Sequence, residues 1–157
     1  MDCPQLKLEN QLCFPLYAAS KEITRRYAPY LEPLDLTYTQ YIVMLVLWEE
    51  KKCNVSELGK KLFLDSGTLT PLLKKLEAKG YVVRQRSADD ERRVCVALTP
   101  QGSKLQTAAR RAHAAMEAEL AFDDDDARLL RMTLNWLLGQ LEETDPRRPA
   151  TSEDALE

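Results

Sequence analysis

The hydrophobic period changes at Gly80, and that change limits the possible fold more than any other feature of the chain. Before it, SGTLTPLLKKLEAKG sets Leu69, Leu72, Leu73 and Leu76 at helical spacing, with Pro71 in the early turns and Gly80 as the stop. After it, YVVRQR and RVCVALT alternate as strands do around the charged turn SADDER, so residues 81–99 predict a two-stranded hairpin with a charged tip. Two strands do not stand alone in water. One face must be covered, and the short helices just upstream are the nearest cover.

Those upstream elements read as helices. Leu12, Leu16, Ala19, Ile23 and Tyr27 share one face of a segment from about Asn10 to Leu31, which Pro29 and Pro33 are expected to close. Thr37 and Gln40 fit a capping box ahead of the apolar run YIVMLVLWEE, a buried helix. Asn54 to Glu57 offers a cap for VSELGKKLFL. Downstream, Thr99-Pro100 opens a helix to about Ala121, and Asp123 to Asp126 place carboxylates at the favourable end of a last helix that carries Leu129, Leu130, Leu134, Leu137, Leu138 and Leu141. The expected fold is therefore mainly α with a small β-wing: a winged helix-turn-helix flanked by terminal helices. Their faces are too apolar for a small monomer, so a two-fold homodimer built through the N- and C-terminal helices is expected. The boundaries drawn are 1–36 for the N-terminal dimerisation helix, which holds Cys13, 37–99 for the winged helix-turn-helix, 100–143 for the C-terminal dimerisation helices and 144–157 for a disordered tail.

Composition narrows the class. The chain has 157 residues, 45% hydrophobic and 30% charged, as in one soluble globular domain. Its longest apolar run, Ile42 to Trp48, falls short of the roughly 20 residues of a membrane span, and no signal-peptide pattern opens the chain, so a cytoplasmic protein with no membrane partner is expected. Thiols stay reduced there, and Cys3, Cys13, Cys53 and Cys95 show no metal-knuckle spacing. No metal or cofactor is expected. Cys3 reads as a tail residue, Cys53 as a loop residue and Cys95 as a core or strand residue. The net charge of −3 hides a basic middle, because between residues 51 and 111 Lys and Arg outnumber Asp and Glu by 14 to 6. Such a patch is either a solvated face or a footprint for a polyanion.

Cys13 lies in LCFPLYA. Proline fits a helix only in its first turn, so Pro15 predicts that the helix begins or is reset near Cys13. The positive end of a helix dipole favours a thiolate, and Tyr17 follows one turn along on the same face. The residues alone leave two readings open, a small buried hydrophobe or a reactive thiol, and the first is the simpler.

Three blocks in order carry a family resemblance. LDSGTLTPLLKKLEAKGYVVRQRSADDERRVCVALTPQG resembles the MarR family of bacterial transcription regulators, while KLENQLCFPLYAASKEITRRY and LTYTQYIVMLVLWE resemble its organic-hydroperoxide-sensing OhrR branch. The resemblance is strong over Lys7 to Gly102. It implies a dimeric repressor, not an enzyme, whose recognition helix enters the major groove of a palindromic double-stranded DNA operator while the wing reaches the minor groove. On the recognition helix, Ser66, Thr68 and Thr70 lie away from the leucines and can reach phosphates or base edges, with Ser66 equally readable as a plain cap. Lys74 and Lys75 suit phosphates. At the wing, Asp90 matches the family's wing aspartate and Arg92 its minor-groove arginine, with Arg93 beside it, and Arg84 and Arg86 are expected to touch flanking backbone.

The resemblance also implies that Cys13 is the peroxide-reactive cysteine and that Tyr17, Tyr27 and Tyr38 surround it, with Tyr27 and Tyr38 coming from the partner subunit. An organic hydroperoxide is then the effector. Because no cysteine follows Cys95, the chain is similar to one-cysteine members, and a small thiol would resolve the oxidised Cys13. Pro15 departs from the family, where many relatives carry an aliphatic residue. Two other classes compete: a MarR-type repressor released by a small aromatic or acidic ligand, with Cys13 passive, and a thiol peroxidase, for which the sequence offers no second catalytic cysteine pattern.

Overall fold

The structure, a computed structural model, describes residues 3–86 and 93–144. Asp90 and Arg92 at the wing tip, and the expected tail from residue 145 onward, lie outside the described residues. Two 3-10 turns, Pro4–Leu6 and Leu8–Asn10, precede α1 (Cys13–Leu31). There follow α2 (Tyr38–Glu50), β1 (Lys52–Asn54), α3 (Val55–Leu62), α4 (Ser66–Ala78), β2 (Val82–Arg86), β3 (Val94–Leu98), α5 (Pro100–Leu120) and α6 (Asp124–Glu143). The chain divides into two compact units between Glu119 and Leu120.

In the first unit α2 and α4 supply the centre of the core. Val43, Met44 and Leu47 of α2 meet Leu69, Leu73 and Leu76 of α4, and Val82 and Val96 bring in the sheet. Fully burying one such side chain contributes about 1.5–3 kcal/mol, so these eight residues dominate the stability of the unit. Leu31 from α1 and Ala109 and Ala112 from α5 join the same core. The Thr37–Gln40 capping box forms as the sequence predicts, the Gln40 amide donating to Thr37 Oγ1 at 3.3 Å and the Thr37 amide to Gln40 Oε1 at 3.1 Å. The leucine face of α4 is buried as expected, and Gly80, at φ 73°, ends that helix in a conformation open to glycine.

Three expectations are corrected. The sheet has three strands in the order β1-β3-β2, all antiparallel, with Lys52, Cys53 and Asn54 opposite Ala97, Val96 and Cys95. Cys53 is thus a buried strand residue and not a loop residue; three residues are too few for a period of two to show. Asn54 stands before α3 without capping it. Its carboxamide oxygen instead accepts from Cys95 Sγ at 2.9 Å, because sheet pairing has turned that side chain toward the neighbouring strand. The cap of α4 is Asp65 and not Ser66: Asp65 Oδ1 accepts from the Thr68 amide and Oδ2 from the Thr68 hydroxyl, both at 2.9 Å. Glycine at 67 leaves room for this, since a Cβ there would stand 2.9 Å from Asp65 Oδ1. As the sequence predicts, α1 ends at Leu31, two residues past Pro29, which deprives only the Arg25 carbonyl of an amide.

The wing is tied to its helix. Glu77 of α4 accepts the Arg84 amide at 2.9 Å, its Nε at 2.8 Å and a terminal guanidinium nitrogen at 2.7 Å. At the far end, the Thr99 hydroxyl donates to Gly80 and accepts the Gly102 amide, while Trp48 Nε1 donates to the Gly102 carbonyl at 2.9 Å. Position 102 admits only glycine, because a Cβ would fall 2.1 Å from the Tyr81 carbonyl oxygen.

In the second unit, Asp123 caps α6 by accepting the Asp125 amide at 2.8 Å, and Asp124, Asp125 and Asp126 fill its first turn as predicted. No residue of α6 is buried. Leu129, Met132, Trp136 and Leu141 are each more than half exposed.

Candidate functional site

The face of α4 opposite its leucines presents Ser66, Thr68, Thr70, Lys74 and Lys75, all exposed. Asp65 takes over the cap, so Ser66 is left as an open hydroxyl on the first turn. Thr68 is partly committed, since its hydroxyl donates to Asp65. Asp65 is held below its ordinary value by the Thr68 amide first and the Thr68 hydroxyl second. On the sheet, Arg86 and Arg93 are exposed at the strand ends that flank the undescribed tip. Arg84 is half-buried and occupied by Glu77, so it acts as a strut between recognition helix and wing. Helix face and strand ends together offer hydroxyls and cations with few acids among them, which is the chemistry of a phosphate-binding surface.

Cys13 is the first residue of α1 and is exposed, with Pro15 two residues on, in the first turn as predicted. The preceding Leu12 is already helical and supplies no side-chain cap, so the sulfur lies at the uncapped positive end of the helix. Tyr17 sits one turn further along, exposed, with the Lys21 ammonium 5.9 Å from its ring centroid. No hydrogen bond joins Cys13 and Tyr17 within the chain.

Tyr27 and Tyr38 lie elsewhere. Their ring centroids are 5.2 Å apart, and Tyr41 closes the group at 5.7 Å from Tyr27 and 6.3 Å from Tyr38. Burial raises all three phenols above their ordinary value, Tyr27 to about 12, so they are hydroxyl donors at neutral pH. Tyr27 lies fourteen positions after Cys13, and a rise of 1.5 Å per residue separates the two by about 21 Å along α1. One chain cannot bring its Cys13 to its own Tyr27.

Tyr41, His113 and Glu117 join this group without a clear mark in the sequence. Tyr27 Oη lies 3.1 Å from His113 Nδ1, and His113 Nε2 lies 3.2 Å from Glu117. The only available signal was the one histidine of the chain four residues before a glutamate on a helix. Beside this group a cavity of about 230 Å³ is lined by Tyr41, Leu45, Trp48, Gln106, Arg110 and His113 among others. A wider hollow of about 430 Å³ opens where Tyr38 meets Thr24, Ala28, Asp35 and Lys79.

The other thiols are differently placed. Cys53 is pushed up to about 11, by burial first and by its hydrogen bond to Glu50 second, and so stays protonated. Cys95 is buried and donates to Asn54. Cys53 and Cys95 occupy successive register positions and project to opposite faces of the sheet. Among the described residues, no helix is long and apolar enough to cross a membrane.

Comparison with known proteins places this arrangement. Residues 25–108 match the family described as Transcriptional regulator SarA/Rot. The organic hydroperoxide resistance transcriptional regulator of Bacillus subtilis is 52% identical over 64% of this chain and 69% of its own length. The HTH-type transcriptional regulator SarZ of Staphylococcus saprophyticus is 50% identical over 81% of this chain and 87% of its own. Among solved structures, reduced AbfR bound to DNA, a Staphylococcus epidermidis protein, shares 36% identity, 88% of this chain and 96% of that one, at a TM-score of 0.74.

Proposed function

The chain belongs to the winged-helix transcription regulators of the MarR and SarA/Rot type, and we propose that within this family it senses organic hydroperoxides through Cys13 and thereby releases a palindromic operator. It is a DNA-binding, redox-sensing transcription regulator. Its working form is a homodimer. The exposed apolar residues of α6 and of the N-terminal segment, Leu6, Leu8, Leu12 and Phe14, support that form, since a second copy would cover them. The observation that carries the sensing role is the separation between an exposed Cys13 at the start of α1 and Tyr27, about 21 Å further along the same helix, where it packs with Tyr38 and Tyr41 of α2. Donors for a thiolate exist, and they must come from the other copy.

In the reaction, the Cys13 thiolate attacks the distal oxygen of the hydroperoxide. A sulfur–oxygen bond forms as the oxygen–oxygen bond breaks, sulfur gives up two electrons, and the departing alkoxide takes a proton to become an alcohol. Cys13 is left as a sulfenic acid, which a small thiol converts to a mixed disulfide with loss of water. Oxidation removes the negative charge that the tyrosine hydroxyls of the second copy held. The dimer then repacks and the two recognition helices leave operator spacing. DNA is met by Ser66, Thr70, Lys74 and Lys75 in the major groove and by the wing, with Arg86 and Arg93 on flanking phosphates and Asp90 and Arg92 at the tip.

A gel-shift titration with cumene hydroperoxide tests the reading. Wild type should leave the operator, and Cys13→Ser should bind equally well and stay bound. Equal release of both proteins overturns the sensing role. One observation favours a second trigger: the cavity lined by Tyr41, Leu45, Trp48 and Ala109 also carries Glu49, Arg110 and His113, an apolar lining with a few polar groups that suits a small aromatic ligand. A regulator of that kind would release its operator on ligand addition and remain indifferent to peroxide.

A further inference from the structure

The start of α2 is fastened to the far end of α4. Lys79 closes α4, and its Nζ donates to the Asp35 carbonyl and, at 3.2 Å, to Gln40 Oε1. The Asp35 carboxylate adds its charge 3.0 Å away, and the lysine side chain is only 24% exposed, so water competes little for these contacts. Gln40 is buried, and the same Oε1 accepts the Thr37 amide, which joins the lysine to the capping box of α2. Two residues past Lys79, the Tyr81 hydroxyl donates to the Leu34 carbonyl at 3.2 Å. Between these anchors stands Tyr38, the first residue of α2, with its ring against Tyr27. The hollow of about 430 Å³ beside Tyr38 is also walled by Asp35, Thr37 and Lys79, so a group that displaces Tyr38 there meets the same network.

We infer that Lys79 and Tyr81 are positioning residues that couple the sensing site to the recognition helix, passing a shift at the start of α2 through Asp35 and Gln40 to the end of α4. The inference rests on the sensing role proposed above. In the reduced dimer the thiolate of a second copy holds the Tyr38 hydroxyl, and the network holds α4 in the position that fits the operator. Once Cys13 is a sulfenic acid that hold is lost, and Tyr38 moves with the cap beside it. The lysine carries α4 along, because its hydrogen bonds end on both sides of Tyr38. Core contacts between α2 and α4 also join the two helices, but apolar packing is non-directional, whereas hydrogen bonds fix a geometry.

The test is the ratio of operator dissociation constants for oxidised and reduced full-length dimer, in wild type, Lys79→Met and Lys79→Arg. The probe is a labelled duplex that reduced wild type selects from a random-sequence pool, read by fluorescence anisotropy, with cumene hydroperoxide as oxidant and intact mass confirming equal oxidation of Cys13. Methionine keeps the apolar stem and removes the donors, whereas arginine still donates. Hydrogen bonds to a charged group correspond to about a tenfold change in an equilibrium constant, so Lys79→Met should shrink the wild-type ratio by about that factor and Lys79→Arg should restore most of it. A lysine that only stabilised the fold would weaken both affinities alike. An unchanged ratio in Lys79→Met, or one that Lys79→Arg does not raise above the methionine value, overturns the inference and leaves the Cys13 reading standing. A ratio of one in wild type overturns that reading, and the inference with it. Should Lys79→Met lose its fold, Tyr81→Phe decides by the same measure: the ring stays, the tie to Leu34 goes, and the ratio should fall. An unchanged ratio there overturns the coupling.

Discussion

The winged-helix core and α6 use apolar residues in opposite ways. In the core, Leu47, Leu69, Leu73, Leu76 and Val96 are at most 1% exposed, and the charges at its edge are paired off, Arg84 with Glu77 and Lys79 with Asp35. On α6, leucines, a methionine and a tryptophan stand in solvent, and no residue is buried. A single chain thus completes its winged-helix core and leaves the apolar residues of α6 uncovered, as the proposed dimer requires. The residues of the proposed sensing site divide the same way. Tyr27 and Tyr38 pack with Tyr41 within one chain, and Tyr27 also lies 3.1 Å from His113, whereas Cys13 and Tyr17 are exposed.

Predictions that probe this contrast fall in order of size. Leu76→Ala should cost about 2–5 kcal/mol, the usual penalty for a cavity in a closed core, read as a large fall in melting temperature at any protein concentration. Trp136→Ala on α6 should leave the core intact and instead raise the concentration at which dimers dissociate in analytical ultracentrifugation; an equal loss of stability at high concentration would remove the contrast. Asp65→Ala removes the cap of α4 and should lower the midpoint of denaturant melts by less than Leu76→Ala does. Glu77→Ala frees Arg84 and should cost at most about 1 kcal/mol, since the pair is partly exposed, while weakening operator binding by loosening the wing.

The smallest effect is that of acid. Asp65 and Glu77 are both held below their ordinary values of 3.8 and 4.5, Asp65 by the Thr68 amide first and Glu77 by the Arg84 amide first. A depressed carboxylate contributes stability that is complete above its unfolded value and disappears as pH falls through its folded one. Wild type should therefore lose more melting temperature below about pH 4 than the Asp65→Asn, Glu77→Gln double variant does. Parallel curves would show that neither carboxylate stabilises the winged-helix core.

Much of this was legible in the residues. The leucine spacing of α4, the Thr37 capping box, the acidic start of α6 and the period change at Gly80 each signal their own element locally. β1 did not, because Cys53 is placed by pairing with Val96, far away in sequence, and three residues carry no pattern. Asp65 and Ser66 are both good caps, and only the backbone geometry chooses between them. The tyrosine cluster was half visible. Tyr27 and Tyr38 came from family likeness, whereas Tyr41, His113 and Glu117 join them only when α1, α2 and α5 pack.

The central claim is that each sensing site takes its thiol from one copy and its tyrosines from the other. A purified mixed dimer, one copy carrying Cys13→Ser and the other Tyr27→Phe with Tyr38→Phe, tests it directly through the rate at which its remaining Cys13 becomes a sulfenic acid under cumene hydroperoxide. A shared site pairs that intact cysteine with the intact tyrosines of the Cys13→Ser copy, and the account predicts the wild-type rate. A site closed within one chain would pair it with phenylalanines, and oxidation at the slow rate of the Tyr27→Phe, Tyr38→Phe homodimer would contradict the claim.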